Sequence, residues 1–251
     1  MGEGLWRATV VVLLGFASLI VLARSERPQG WNRLTEAIQT ADGQSILNVA
    51  SEIGQTGAND ANSRMAVATV LLAYGRADLA VTYLDNEAET IRFKNQEEEG
   101  VYWRFVGDAA LTDSGLTMSA LAAYERALQA MPNDHLVLNN YGYILADTDG
   151  DAELAFQLTN KACELRPGLA TYLDSRGWAL YKLGLYDRAI EDLQAAVHGD
   201  PTSWEIRYHL AAAYSKIQYK TEARIELEKA MRLAPRSVDS KDLMREIDVR
   251  R

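Results

Sequence analysis

Apolar residues recur along most of this chain at the three- and four-residue intervals that place them on one face of an α-helix. Between residues 101 and 235 these stretches form a regular series, and every second stretch is closed by a proline: Pro132, Pro167, Pro201 and Pro235, spaced by 35, 34 and 34 residues. Because proline cannot continue a helix, the pattern predicts helix pairs that repeat with this period. Such a chain is expected to fold as an all-α solenoid, in which each pair packs against its neighbours.

The unit that ends at Pro201 shows the pattern most clearly. Gly177 and Ala189 are small, which predicts that the two helices of the pair approach each other closely at this level. Gly184 stands where the first helix must end, a place that favours a left-handed residue. In the next unit Gln218 occupies the position of this glycine, so the sequence specifies that turn less clearly.

These features together resemble the tetratricopeptide repeat (TPR) family: a small residue within the first helix, glycine at the turn, alanine in the second helix and proline after it. The resemblance covers residues 101–235, which it divides into four TPR-like repeats. Residues 31–100 carry a weaker form of the pattern and are expected to form degenerate helical repeats. Residues 236–251 are expected to form a C-terminal capping helix.

The amino-terminal segment contains an uncharged apolar run, residues 8–23, between Arg7 and Arg24. A membrane-spanning helix needs about 20 such residues, and the residues before the run extend it. We therefore expect residues 1–30 to contain a single N-terminal transmembrane helix and a juxtamembrane segment, with residues 5–23 in the lipid bilayer. The alternative is a cleaved signal peptide, whose processing site would follow the run.

The basic residues that flank the apolar run bear on which side of the membrane the repeats lie. Arg24, Arg27 and Arg33 follow the apolar run and Arg7 precedes it, a distribution that by itself slightly favours a cytoplasmic repeat domain. The resemblance points the other way, because bacterial TPR proteins with one amino-terminal span more often place their repeats outside the cytoplasm. The extracytoplasmic side is the expectation that we retain.

Composition and motifs argue against several classes of function. A net charge of −9 without a basic cluster argues against a nucleic-acid partner. His135, His198 and His209 fall in different units without metal-ligand spacing, and Cys163 is the only cysteine. The sequence also contains no phosphate-binding glycine loop and no nucleophile motif. We therefore expect no enzyme activity, no catalytic residue, no metal and no cofactor.

In TPR arrays the first helix of each repeat lines a concave face, so the resemblance implies which side chains would meet a partner. They are expected to be Arg104, Asn139, Tyr143, Asp174, Trp178, Tyr181, Lys182, Tyr208 and Lys216. Trp178, Tyr181 and Tyr208 would form an aromatic patch that can anchor a peptide or a helix. The alternative for Trp178 is burial inside its own helix pair.

The leading hypothesis is a non-catalytic, membrane-anchored TPR adaptor or scaffold. It would bind, or help to assemble, the protein subunits of a larger membrane complex through its concave face. The alternative is an exported soluble factor, chaperone-like or active in envelope assembly, that binds client peptides. A third possibility is an accessory subunit of an enzyme complex, with all chemistry in the other subunits.

Overall fold

The computed structural model describes residues 29–55 and 60–249, and these residues form thirteen α-helices, one short 3-10 helix and no strand. The helices are α1 (Gln29–Thr40), α2 (Gly43–Gln55), α3 (Ala61–Ala73), α4 (Ala77–Ala88), α5 (Gln96–Ala110), α6 (Thr117–Ala130), α7 (His135–Asp147), α8 (Ala152–Leu165), α9 (Ala170–Lys182), α10 (Tyr186–Gly199), α11 (Trp204–Lys216), α12 (Lys220–Leu233) and α13 (Val238–Val249). The 3-10 helix, Ser114–Leu116, precedes α6. The all-α prediction is confirmed.

The chain divides into two compact units, one that ends at Pro132 and one that begins at Asn133. In the first unit α1 pairs with α2, α3 with α4, and α5 with α6. In the second unit α7 pairs with α8, α9 with α10, and α11 with α12, while α13 packs on the last pair. Each unit is therefore built as the predicted helix-pair solenoid.

The predicted transmembrane helix, residues 5–23, lies outside the described residues. Within residues 29–55 and 60–249, every helix is too short or too polar to cross a bilayer.

The repeat prolines end their helices through the residue that precedes them. Met131, Arg166, Asp200 and Ala234 have φ between −139° and −129° and ψ between 73° and 87°, outside the helical region. The ring of a following proline collides with a residue in the helical conformation and drives it toward extended geometry. Because each proline acts in the same way, the second helices of these repeats end at equivalent positions.

In the last two helix pairs of the repeat series, the turn between the helices contains a residue with positive φ. Gly184 supplies it in the pair α9 and α10, with φ of 76°, and Gln218 supplies it in the next pair, with φ of 65°. In both turns the amide that follows this residue donates to the carbonyl five residues earlier, at 3.0 Å. The same turn therefore forms in the last repeat without glycine, although a left-handed conformation costs a side-chain-bearing residue about 1–2 kcal/mol.

The close helix approach predicted at Gly177 is present. A methyl group at this position would lie 2.7 Å from Cγ of Leu193 on the partner helix, well inside van der Waals contact. Gly142 has the same role one repeat earlier, where a methyl group would lie 2.7 Å from Cγ2 of Thr159. Ala189, the small residue that the sequence predicts on the second helix of the pair, is fully buried. The small residues of the repeat pattern thus set how closely the paired helices pack.

The first unit contains a buried ion pair that the repeat pattern does not account for. Nε of Arg64 on α3 lies 3.1 Å from Oε2 of Glu87 on α4, with the two residues only 1% and 5% exposed. The Arg64 guanidinium also donates to the carbonyl of Gly54 on α2, and the hydroxyl of Ser51 donates to Glu87 at 2.6 Å. This polar network connects three helices in the region that the sequence marks only as degenerate repeats.

Candidate functional site

The second unit carries all but one of the predicted partner-binding residues, and they lie on its first helices α7, α9 and α11. In this unit α9 contacts both α7 and α11, so the three helices form one continuous surface. The residues concerned are Asn139 and Tyr143 on α7, Asp174, Trp178, Tyr181 and Lys182 on α9, and Tyr208 and Lys216 on α11. Six side chains in this unit form what we call the first-helix cluster: Tyr143, Asp174, Trp178, Tyr181, Tyr208 and His209.

Trp178 lies at the centre of this cluster. Its ring stacks on Tyr181 of the same helix, with centroids 4.6 Å apart and an interplanar angle of 6°. It also stacks on His209 of α11 at 4.2 Å and 20°, and Tyr208 lies against it at 6.3 Å. Trp178 is 6% exposed, whereas Tyr181 and Tyr208 are half-buried.

Side chains of two successive repeats cover the Trp178 ring. The ring is not presented to solvent, and its aromatic contacts lie on its own helix α9 and on α11 of the following repeat, instead of within the pair α9 and α10. The cause is the stacking of successive repeats, which brings neighbouring first helices together. A direct contact of Trp178 with a partner stays a prediction, and the accessible aromatic surface is that of the tyrosines.

A buried ion pair joins α9 to α11 beneath the aromatic rings. Nδ1 of His209 lies 2.8 Å from Oδ1 of Asp174, and both side chains are buried. Burial by itself lowers the pKa of His209, but Asp174, assisted by Asp147 and Glu205, raises it by more, so the pKa of His209 lies above its ordinary value. The imidazolium form therefore persists to higher pH than in an exposed histidine, and the contact between His209 and Asp174 joins α9 to α11.

The sign of this pKa shift predicts how stability depends on pH. A raised folded-state pKa means that the stabilisation from His209 is complete below about pH 6.5, its ordinary pKa, and is lost as the pH rises through the folded value. We expect the difference in free energy of unfolding between wild type and His209→Asn to be larger at pH 6 than at pH 9. Urea unfolding at the two pH values measures it.

The control is the same comparison in an Asp174→Asn background. Removing the carboxylate removes the main cause that raises the pKa of His209 and leaves burial, which lowers it, so the cost of His209→Asn should then no longer be larger at pH 6 than at pH 9. A pH-independent difference in the wild-type background would contradict the assignment of a charged His209–Asp174 pair.

The surroundings of the cluster are acidic. Burial raises the pKa of Tyr143 well above its ordinary value, and Asp147, Asp174 and Glu205 add to the shift. Burial raises the pKa of Tyr208 to about 12, with Asp239 of α13 among the further causes. These carboxylates, together with burial, disfavour the phenolate form of both tyrosines.

Two lysines lie over the same aromatic surface. Nζ of Lys182 is 5.1 Å from the centre of the Trp178 ring and 2.6 Å from Oδ1 of Asp149. Nζ of Lys216 is 5.8 Å from the centre of the Tyr181 ring. Both distances are within the range of cation–π attraction.

Arg104 is the one predicted residue that belongs to the first unit. It lies half-buried on α5, with Nη1 3.9 Å from Oδ2 of Asp108. The same carboxylate accepts a hydrogen bond of 2.5 Å from the hydroxyl of Tyr124. The structure therefore brings Arg104 together with residues of its own helix pair.

Within the described residues, no group of three or more histidine, cysteine or carboxylate side chains has the geometry to hold a metal ion. Cys163 is buried, and burial raises the pKa of its thiol to about 11, which disfavours the reactive thiolate.

The pairing of His209 with Asp174 and the carboxylates near it were not predicted from the sequence. His209 follows Asp174 by 35 residues, close to one repeat, and residues one period apart face each other on neighbouring first helices. This interval could have indicated that His209 and Asp174 lie side by side on neighbouring first helices. Glu205, Asp239 and Glu246 gave no such indication, because an acidic residue on a helix is most often part of the solvated surface.

Comparison with known proteins identifies the repeat independently of the geometry. Residues 107–170 and 175–238 match a family model described as "Tetratricopeptide repeat". The protein described as "Protein STIP1 homolog" from Dictyostelium discoideum is 27% identical over 147 residues, which are 59% of this chain. The match covers 23% of that protein, so this chain spans less than a quarter of its length.

Solved structures of low sequence identity share the fold. YrrB, described as a TPR protein with an unusual peptide-binding site, is 18% identical and has a TM-score of 0.57, over 78% of this chain and 97% of that one. MamA from Desulfovibrio magneticus RS-1 is 20% identical with a TM-score of 0.58, over 72% and 98%. The APC/C hetero-tetramer Cut9–Hcn1 gives a TM-score of 0.62 at 16% identity, over 91% of this chain and 48% of that one.

Proposed function

Because the chain belongs to the tetratricopeptide repeat family, we propose that it is a non-catalytic scaffold that binds protein partners through the first helices of residues 133–251. The observation that carries this proposal is the first-helix cluster, in which half-buried tyrosines from three successive repeats surround a stacked core. YrrB, whose description names a peptide-binding site, has the same fold and supports a peptide or protein partner.

The cluster has the physical properties of a protein-binding surface. Aromatic side chains bury much apolar area with few rotatable bonds, so they lose little conformational entropy when a partner binds. Tyr181 is fixed by its stack on Trp178, which is in turn fixed by His209 and the buried carboxylate of Asp174. Because these side chains are already ordered, less conformational entropy is lost when a partner binds.

Site-specific photocrosslinking in cells tests the proposal. A benzoyl-phenylalanine at Tyr208 should give discrete protein adducts, identified by mass spectrometry, at native expression level. The control is the same probe at Ile225, an exposed position on the second helix α12. If Tyr208 gives no adducts, or only those that Ile225 gives, the cluster is not the binding surface.

The finer form of the proposal is a membrane-anchored scaffold that helps to assemble a membrane protein complex, with its repeats on the extracytoplasmic side. It rests on the apolar run within residues 5–23. An anchor would confine the repeats near the bilayer and raise their effective concentration for membrane partners. Under this proposal the chain stays in the membrane fraction after alkaline carbonate washing and keeps its full mass, and protease added outside sealed cells digests the repeats.

The alternative is an exported soluble factor that holds client peptides. It requires cleavage near Ala23, since the apolar run would then act as a signal peptide. Intact-mass measurement of the protein from its native source separates the two. Loss of residues 1–23 would support the soluble factor and exclude the anchor.

A further inference from the structure

Carboxylates of α7 and α13 act on the tyrosines of the first-helix cluster. Lys182 is paired with Asp149, and His209 is paired with Asp174. Burial raises the pKa of both Tyr181 and Tyr208, and Glu246 of α13 adds to each shift. Asp147 and Glu205 act in the same direction on Tyr143. Asp147 lies one turn after Tyr143 on α7, and Tyr208 packs against the same apolar cluster as Leu243 of α13, which lies one turn after Asp239. The tyrosines of the cluster therefore have carboxylates of α7 and α13 beside them.

The ring faces of this cluster already bind ammonium groups. Lys182 lies over Trp178 and Lys216 lies over Tyr181, at 5.1 and 5.8 Å from the ring centres. A tyrosine face attracts a cation through the negative charge of its π-electrons, and a neighbouring carboxylate strengthens the attraction. Tyr143, with Asp147 on the same face of α7, and Tyr208, packed against α13 with Asp239, can receive cationic side chains from a partner in the same way.

Two buried polar atoms on this surface have no hydrogen-bond partner among the described residues: Nε1 of Trp178 and Oδ1 of Asn139. The two residues are 6% and 8% exposed. Trp178 lies within the ring stack, and Asn139 precedes Tyr143 by one helical turn and so lies on the same face of α7.

An unsatisfied buried donor or acceptor is costly, and a peptide backbone offers the complementary carbonyl and amide. Rotation of the half-buried tyrosines would bring the backbone within reach, because rotamer changes at an interface are common when a partner binds.

From these three observations we propose that the first-helix cluster binds a cationic peptide segment of a protein partner. Its lysine or arginine side chains lie on the faces of Tyr143 and Tyr208 against Asp147, Asp239 and Glu246, and its backbone pairs with Trp178 and Asn139. The inference rests on the proposed scaffold function and adds the chemical class of the partner. Nucleic acid and acidic peptides are not expected to bind this cluster, because the same carboxylates repel them.

The test is calorimetric titration of the full chain, in nonionic detergent, with two acetylated and amidated peptides. One alternates lysine and serine over twelve residues, and the other replaces every lysine by glutamate. The lysine peptide should bind and the glutamate peptide should not. Neutralising the surface in the variant Asp147→Asn/Asp239→Asn/Glu246→Gln should weaken binding of the lysine peptide about tenfold.

A matched control removes the same number of charges from the second helices of the same unit. Glu153, Glu191 and Glu228 are exposed on α8, α10 and α12, and their triple glutamine variant has the same net charge as the surface variant. It should bind the lysine peptide within about twofold of wild type, since charges far from the bound cations are screened by salt.

Each other result overturns the inference. Equal weakening in the two triple variants would mean attraction by net charge alone, without a defined site. Failure of the lysine peptide to bind, or preference for the glutamate peptide, would exclude a cationic partner. If Tyr208 gives protein crosslinks while the lysine peptide does not bind, the scaffold function stands and only the partner class is wrong. Absence of crosslinks at Tyr208 would mean that the cluster is not the binding surface, and the proposed function would fail together with this inference.

Discussion

Replacing Arg64 by methionine is expected to lower the free energy of unfolding by about 3–5 kcal/mol, the usual cost of removing one partner of a buried ion pair. The substitution leaves the carboxylate of Glu87 in the core without its guanidinium at 3.1 Å. It also removes the donor to the carbonyl of Gly54, so α2 loses a contact that holds it to α3. Urea unfolding followed by circular dichroism measures the loss.

Two further variants make the result specific. Arg76→Met breaks an ion pair with Asp78 whose side chains are 33% and 52% exposed, and such a pair contributes less than about 1 kcal/mol. Adding Glu87→Gln to Arg64→Met should restore much of the stability, because the amide can still bond to Ser51 while no charge is buried. If Arg64→Met costs no more than Arg76→Met, the network does not stabilise the first unit.

Trp178→Ala is expected to destabilise the second unit by about 3–5 kcal/mol, since truncation of a buried tryptophan removes a large apolar surface and leaves a cavity. The ring supports Tyr181 on one side and His209 on the other, so its loss also weakens the contact between α9 and α11. Helical content at low temperature should be retained, and the transition in thermal and urea unfolding should move to milder conditions.

Tyr219→Ala is the matched control for this prediction. Tyr219 is an aromatic residue of the same unit that is 54% exposed and stacks only at the surface, on Tyr214. Its truncation should change the free energy of unfolding by less than about 1 kcal/mol. If Trp178→Ala behaves like this control, the ring is at the surface and becomes a direct candidate for partner contact.

The repeat could be predicted from sequence because its signals are local. A proline fixes the conformation of the residue before it, and a glycine within a helix permits a close approach, whatever the rest of the chain does. For this reason the helix ends at Pro167 and Pro201 and the contact at Gly177 could be foreseen. Gln218 shows the limit of this reasoning, since the turn forms there without the residue that signals it.

The candidate surface could be predicted only in outline. The repeat period assigns Tyr143, Trp178 and Tyr208 to the same helix face, and the structure places all three in one cluster. The exposed fraction of each side chain could not be predicted, because it depends on how far each first helix is rotated and displaced relative to its neighbour. A period gives the order of the helices and leaves that rotation undetermined.

By itself, the sequence determined that this protein is all-α, that its helices come in pairs, where the repeat helices end and that its charge is negative. Only the tertiary structure decided that Trp178 is covered, that His209 pairs with Asp174, and that Tyr208 packs against α13. The physical reason is the distance along the sequence over which each interaction acts. Helix formation and termination depend on residues a few positions apart, whereas burial and charge pairing depend on side chains brought together from different repeats.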